Sequence, residues 1–117
     1  MQMYVRVAWG LALSLVTGGV VMQAPAGAPG ESAVSIKLFQ FQPSELTVRA
    51  GTRVTFKNLD QVEHTLHAGS PEHPTDDFTS RALGFDSTTS VVLKTPGRHE
   101  FYCDRHTFMR GEITVTK

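Results

Sequence analysis

Apolar residues in this chain recur at every second position and nowhere at a sustained helical period, and that alternation is the strongest constraint on its fold. Leu46 and Val48 alternate with polar residues up to Ala50 and Gly51. Val54 and Phe56 alternate with Thr55 and Lys57 up to Asn58, and Ile113 and Val115 share one face of the last segment. Residues 35–41 alternate through Ile36 and Leu38, then change phase to Phe39 and Phe41. This is the pattern of one strand carried between faces by a bulge or sharp twist, and Pro43 ends it. Further strands are expected at 64–67, 90–93, 98–103 and 112–116, with 69–85 as a long loop rich in Gly, Pro and charge. About seven short strands, with turn signals about every 8–12 residues, predict an all-β antiparallel sandwich or small barrel.

The N-terminal segment stands apart from this pattern. Residues 1–6 carry one positive charge, the 16-residue run 7–22 is uncharged and mostly apolar, and Ala24-Pro25-Ala26 places small residues where a signal peptidase reads. Residues 1–26 therefore read as a secretory signal. The alternative, an uncleaved anchor, fits less well, because the run falls short of the roughly 20 residues of a spanning helix and three glycines interrupt it. Residues 27–34 follow as a patternless flexible linker, with order expected from about Val34, and 35–117 as the folded domain. The expected location is a periplasm or extracytoplasmic surface, with no membrane insertion of the mature domain and a monomeric state.

Composition removes several function classes. Eleven basic against eleven acidic residues leave no basic surface for phosphates, so nucleic acid is not an expected partner. Cys103 is the single cysteine, which excludes an intrachain disulfide framework and any metal site built from several thiolates of one chain. After residue 26, all five His, one Cys and one Met remain. In an exported chain, a lone Cys reads as a reactive thiol, an intermolecular disulfide or a metal ligand.

The chemistry is concentrated in FYCDRHTFMRGEITV. Cys103 is followed by His106 at +3 and Met109 at +6, in the loop joining the last two strands. Thiolate, imidazole and thioether form a soft donor set suited to copper, and two His with one Cys and a weak axial Met make a blue-copper electron-transfer site. A second His is then required. His64 is the best candidate, since it follows the loop 59–63 at the start of a strand, where the end of a sandwich can hold it. His67 falls on the opposite strand face and reads as a surface residue. His73 reads as part of an ion cluster with Glu72, Asp76 and Asp77, and His99 as a strand-start residue without a role. Tyr102 points away from Cys103, either as surface filling or as a point where electrons enter.

At these residues the chain resembles the cupredoxin family, over roughly residues 36–115. VTFKNLDQVEHTLHA is similar to the family's segment from a Val/Phe strand through an Asn, here Asn58, to the first copper His. GRHEFYCDRH resembles the approach to the Cys in plastocyanins, and Cys-x2-His-x2-Met is the spacing of amicyanins. The resemblance implies a Greek-key sandwich of about seven to eight strands and one type 1 copper ion held by His64, Cys103, His106 and Met109. Four positions depart from the family pattern: Thr65 for Asn, Arg105 and Thr107 for the Pro residues flanking the loop His, and the charged Asp104 for Ser or Thr.

The expected function is an exported carrier of single electrons between redox partner proteins. These would dock transiently near His106 and Phe108, with Arg105 orienting an acidic partner. The alternative on the same ligands is extracytoplasmic copper storage or delivery, although one Met is few for that role. A Cys103 nucleophile with a His base would leave Met109 unexplained, so no enzymatic activity is expected.

Overall fold

The computed structural model describes residues 30–117, and these form nine strands with no helix among the described residues. Strand by strand, alternation sets which side chains face inward. In β1 (Glu31–Lys37) Val34 and Ile36 are buried, and in β4 (Arg53–Asn58) Val54, Phe56 and Asn58 are buried while Arg53 and Lys57 are exposed. β2 (Gln40–Gln42) contributes Phe41 and β3 (Glu45–Arg49) Val48. The remaining strands are β5 (His67–Gly69), β6 (Pro74–Thr79), β7 (Thr88–Val92), β8 (Gly97–Tyr102) and β9 (Arg110–Thr116).

One sheet has the order β2-β1-β4-β7 and the other β3-β9-β8-β5-β6. Neither is wholly antiparallel, because β1 pairs with β4 and β3 with β9 in parallel. The all-β sandwich is thus as expected, with nine strands in mixed sheets in place of seven to eight antiparallel ones. Between the sheets, Phe101 meets Phe41 and Phe56 with ring centroids 4.8 and 5.3 Å apart, both near perpendicular. Such edge-to-face contacts add roughly 0.5–1.5 kcal/mol each beyond area burial.

Three sequence expectations are corrected. The phase change at 38–39 is a chain reversal and not a bulge: β1 and β2 form a hairpin whose two-residue loop, Leu38 and Phe39, has φ of 54° and 57°. Positive φ at both positions is the requirement of a type I′ turn, which Asn-Gly usually signals and Leu-Phe does not. Residues 31–34, expected in the linker, belong to β1, whose parallel pairing with β4 runs from Glu31 and Arg53. Finally, the long loop 69–85 contains β6, an edge strand so exposed that it shows no apolar alternation. The expected signal, residues 1–26, and the start of the linker lie outside the described residues.

Gly111 shows how tightly the site-bearing strand is packed. A Cβ there would lie 2.3 Å from Phe101 Cζ and 2.9 Å from the Ser44 carbonyl oxygen. Phe101 cannot give way, since Phe41 and Phe56 hold it. Gly111→Ala should therefore lower stability by about 1–3 kcal/mol, read as a reduced denaturant midpoint at unchanged slope.

Candidate metal centre

β8 and β9 are antiparallel neighbours in register up to the pair Tyr102 and Arg110, so the loop 103–109 has to reverse direction within the width of one strand pair. Two backbone hydrogen bonds shape it: Cys103 N–H donates to Met109 O at 3.1 Å, and Met109 N–H donates to His106 O at 2.8 Å. Cys103 continues the inward face of Phe101, which puts its sulfur in the core. Met109 is likewise buried, whereas His106 is half-buried.

His64 arrives from another direction. Its segment is not part of β5, which starts only at His67. A single bridge to Leu83 holds it instead, with His64 N–H donating to Leu83 O at 3.1 Å and Leu83 N–H to His64 O at 2.7 Å. The buried Asn58 stiffens the connection: Nδ2 donates to Val62 O and Leu83 O, and Oδ1 accepts from Asp60 N–H.

These elements bring the donor atoms of His64, Cys103 and His106 within 4.8 Å of one another, the one such cluster among the described residues. Cys103 Sγ lies 3.9 Å from His64 Nδ1 and 3.8 Å from His106 Nδ1. An ion about 2.0–2.1 Å from each nitrogen and about 2.3 Å from sulfur subtends these edges at roughly 120–130°. The triangle already has the size that a first-row metal ion requires, and its soft thiolate with two imidazoles suits copper.

The family described as Cupredoxin-like domain matches residues 10–115. The chain belongs to the cupredoxin family. Among curated relatives, amicyanin-alpha of Methylorubrum extorquens is 33% identical over 95 residues, covering 81% of this chain and 77% of that protein. Plastocyanin A/B of Petroselinum crispum is 34% identical over 83 residues, 64% of this chain and 86% of that protein. Among solved structures, a purple cupredoxin from Nitrosopumilus maritimus superposes with a TM-score of 0.68 at 23% identity, covering 73% of this chain and 99% of that one, a likeness in fold.

Against the cupredoxin pattern, Thr65 occupies the position after the first His, and the structure shows what it does there. Its N–H donates to Cys103 Sγ at 3.4 Å, and its Oγ1 accepts from Asp104 N–H at 2.9 Å. The hydroxyl proton then has two acceptors in reach, Cys103 Sγ at 3.7 Å and Asp104 Oδ2 at 3.4 Å. Threonine thus ties the 103–109 loop to the His64 segment. Arg105 is bound to Glu63 at 2.8 Å and Arg110 to Glu72 at 2.6 Å, on the rim of the same end.

The other His residues lie elsewhere. His67 is partly covered, stacked on Tyr102 with centroids 5.1 Å apart and 3.3 Å from Asp104 Oδ1, so it is less solvated than expected. Tyr102 is buried rather than surface-filling, and burial followed by the charge of Asp104 raises its phenol pKa. His99 Nε2 is bound to Thr95 O. Glu72, expected beside His73 in an ion cluster, pairs instead with Arg110. A surface hollow of about 420 Å³ is lined by His73, Asp77, His99 and Glu100 among others and contains none of the clustered donors.

Two residues at the centre were not anticipated. Phe39 stands edge-on to both imidazoles, 5.3 Å from His64 and 5.1 Å from His106. Asp60 Oδ2 lies 2.8 Å from His64 Nε2. Burial works against ionisation of Asp60, but hydrogen bonds from Phe39 N–H, His64 and Leu38 N–H outweigh it and hold the carboxyl below the usual range. Asp60 lies only four residues from His64, but the Leu38 and Phe39 turn that it holds, and that carries Phe39 to the imidazoles, lies more than twenty residues away.

The tie made by Thr65 can be measured without metal. Thr65→Val keeps the shape but leaves Asp104 N–H without its acceptor, which should lower apoprotein stability by about 1–3 kcal/mol, seen in chemical denaturation.

Proposed function

We propose that this protein is an exported carrier of single electrons, holding one copper ion through His64, Cys103 and His106 with Met109 as the weak axial donor. The observation that carries this reading is the preformed triangle of two Nδ1 atoms and one Sγ. Copper supplies a one-electron Cu(I)/Cu(II) couple. What the chain contributes is rigidity: the loop hydrogen bonds, the Leu83 bridge, Asn58 and Thr65 hold the donors in place before metal arrives. A site that moves little between oxidation states has little to reorganise, which favours fast transfer. Met109 is buried in the same loop and bonded through its backbone to both Cys103 and His106, so its thioether would be available as a weak fourth donor.

The surface around His106 supports transient docking to redox partner proteins. Phe108 is 71% exposed and Phe39 37%, with ring centroids 6.4 Å apart, and Phe108 lies 6.1 Å from His106. A small apolar face that desolvates easily, with the imidazole edge among it, fits a complex that must form and separate quickly. Arg105 is already paired with Glu63, so we assign docking to the apolar face and give Arg105 no steering role. Export rests on the pattern of residues 1–26. Among the described residues, no helix is long and apolar enough to cross a membrane.

Adding Cu(II) to the apoprotein should produce an intense visible thiolate-to-copper band. Cys103→Ser should abolish it with the fold retained, and Met109→Gln should keep copper but lower the reduction potential. Weak tetragonal spectra in the wild type, or colour persisting without Cys103, would overturn the ligand assignment. For docking, Phe108→Asp should slow transfer to the native partner at least tenfold with an unchanged visible spectrum, while Arg105→Gln has little effect. Stopped-flow rates across a salt series distinguish the two faces, since an apolar contact depends weakly on ionic strength.

A further inference from the structure

Asp60 makes contacts that a surface carboxylate does not need. Its Oδ1 accepts from Leu38 N–H at 2.7 Å, and its Oδ2 accepts from Phe39 N–H at 2.9 Å and faces His64 Nε2 at 2.8 Å. Its own N–H is held by the buried Asn58. Backbone amides can only donate, so both carboxylate oxygens are acceptors here, and a carboxylate facing Nε2 requires that nitrogen to carry the proton. The proton on Nε2 leaves the lone pair on Nδ1, the atom turned toward Cys103 Sγ. His64 is fully buried, so water cannot substitute for this partner.

We propose that Asp60 is a positioning residue for His64: it holds the imidazole in the Nε2–H tautomer and strengthens Nδ1 as a donor, favouring Cu(II) over Cu(I). The same carboxylate holds the Leu38 and Phe39 turn, which lays Phe39 across His64 and His106. One side chain therefore couples the ligand on the inside to the apolar face on the outside. The copper part of this proposal rests on the function proposed above; the tautomer part does not.

The test has two arms. In the copper-free wild type, long-range 1H–15N spectra should show His64 as the Nε2–H tautomer, and in Asp60→Asn a mixture; the Nδ1–H tautomer in the wild type would overturn the proposal. Asn keeps one acceptor oxygen and replaces the other with an NH2 that only donates, so it cannot accept from all three N–H groups as the two carboxylate oxygens do. In the copper-loaded protein, Asp60→Asn should weaken Cu(II) binding about 10–100-fold, with Cu(I) binding affected less. Each tenfold change in that ratio raises the reduction potential by about 59 mV. Repeating the substitution on a Leu38→Asn background, where Asn favours the left-handed turn without Asp60, restores the hairpin but not the ligand contact. If the background rescues the ratio, Asp60 acts through the turn alone and the proposal fails. An unchanged ratio in a folded, blue Asp60→Asn protein also overturns it while sparing the copper assignment. A wild type that binds no copper overturns that assignment instead, and the tautomer spectra still decide Asp60.

Discussion

The metal centre follows from the register of β8 against β9. With Tyr102 opposite Arg110, the next step of the ladder sets Cys103 opposite Met109, and their backbone bond closes the loop at its base. Side-chain direction alternates along a strand, so this register sends Cys103 to the same interior as Phe101. A slip of one residue would turn the thiol to the outer face of the sheet, away from His64 and His106, and Tyr102 to the inner one. Gly111 belongs to the same constraint, because only a residue without a side chain lets Phe101 lie across β9 where the register demands it. Core packing and the placement of the candidate donor Cys103 are thus one condition, imposed by two adjacent strands.

His64 meets that loop from the segment between β4 and β5, which has no regular strand of its own. A single bridge to Leu83 is a weak restraint, and the surrounding hydrogen bonds make it a sufficient one. Asn58 closes the 58–62 turn and reaches Leu83 O, Asp60 holds the far nitrogen of the imidazole, and Thr65 joins the next residue to the Cys103 loop. Among the described residues, no buried side-chain nitrogen or oxygen lacks a partner. That completeness matters in a low-dielectric site, where a polar group left unpaired costs about 1–3 kcal/mol. The Leu38 and Phe39 turn depends on it too, since two non-glycine residues with positive φ are disfavoured until Asp60 accepts both amides.

How far the chain could be read in advance depended on distance along it. The grouping of Cys103, His106 and Met109 was legible because all three lie within seven residues, and most inward faces were legible because each strand writes its own alternation. The pairing of strands was not, since parallel contacts such as β1 with β4 leave no mark in local sequence. The hairpin at Leu38 was misread because the usual turn residues are missing; their work is done by a carboxylate more than twenty residues away. β6 was invisible because an exposed edge strand has no apolar face to show. Phe39 was missed for the same reason as the hairpin, as its place at the site exists only once that turn has formed, whereas Asp60 lies four residues from His64 and no motif marks such a pair.

The charges at the His106 end have a physical logic of their own. Arg105 with Glu63 and Arg110 with Glu72 are roughly half-exposed pairs, and such pairs stabilise a fold by only about 0–1 kcal/mol. Their larger effect is on the field outside the molecule. Each cation placed near the centre is matched by an anion within 3 Å, so the rim presents short dipoles that fade within a few ångströms and not a net charge. A chain with equal numbers of acidic and basic residues adds no long-range attraction to this. What remains at close range is the apolar surface of Phe39 and Phe108 around the His106 edge. In the docking proposed above, recognition at this face would rest on desolvation and shape, which act only on contact, and a small face of that kind would release its partner as readily as it takes it up.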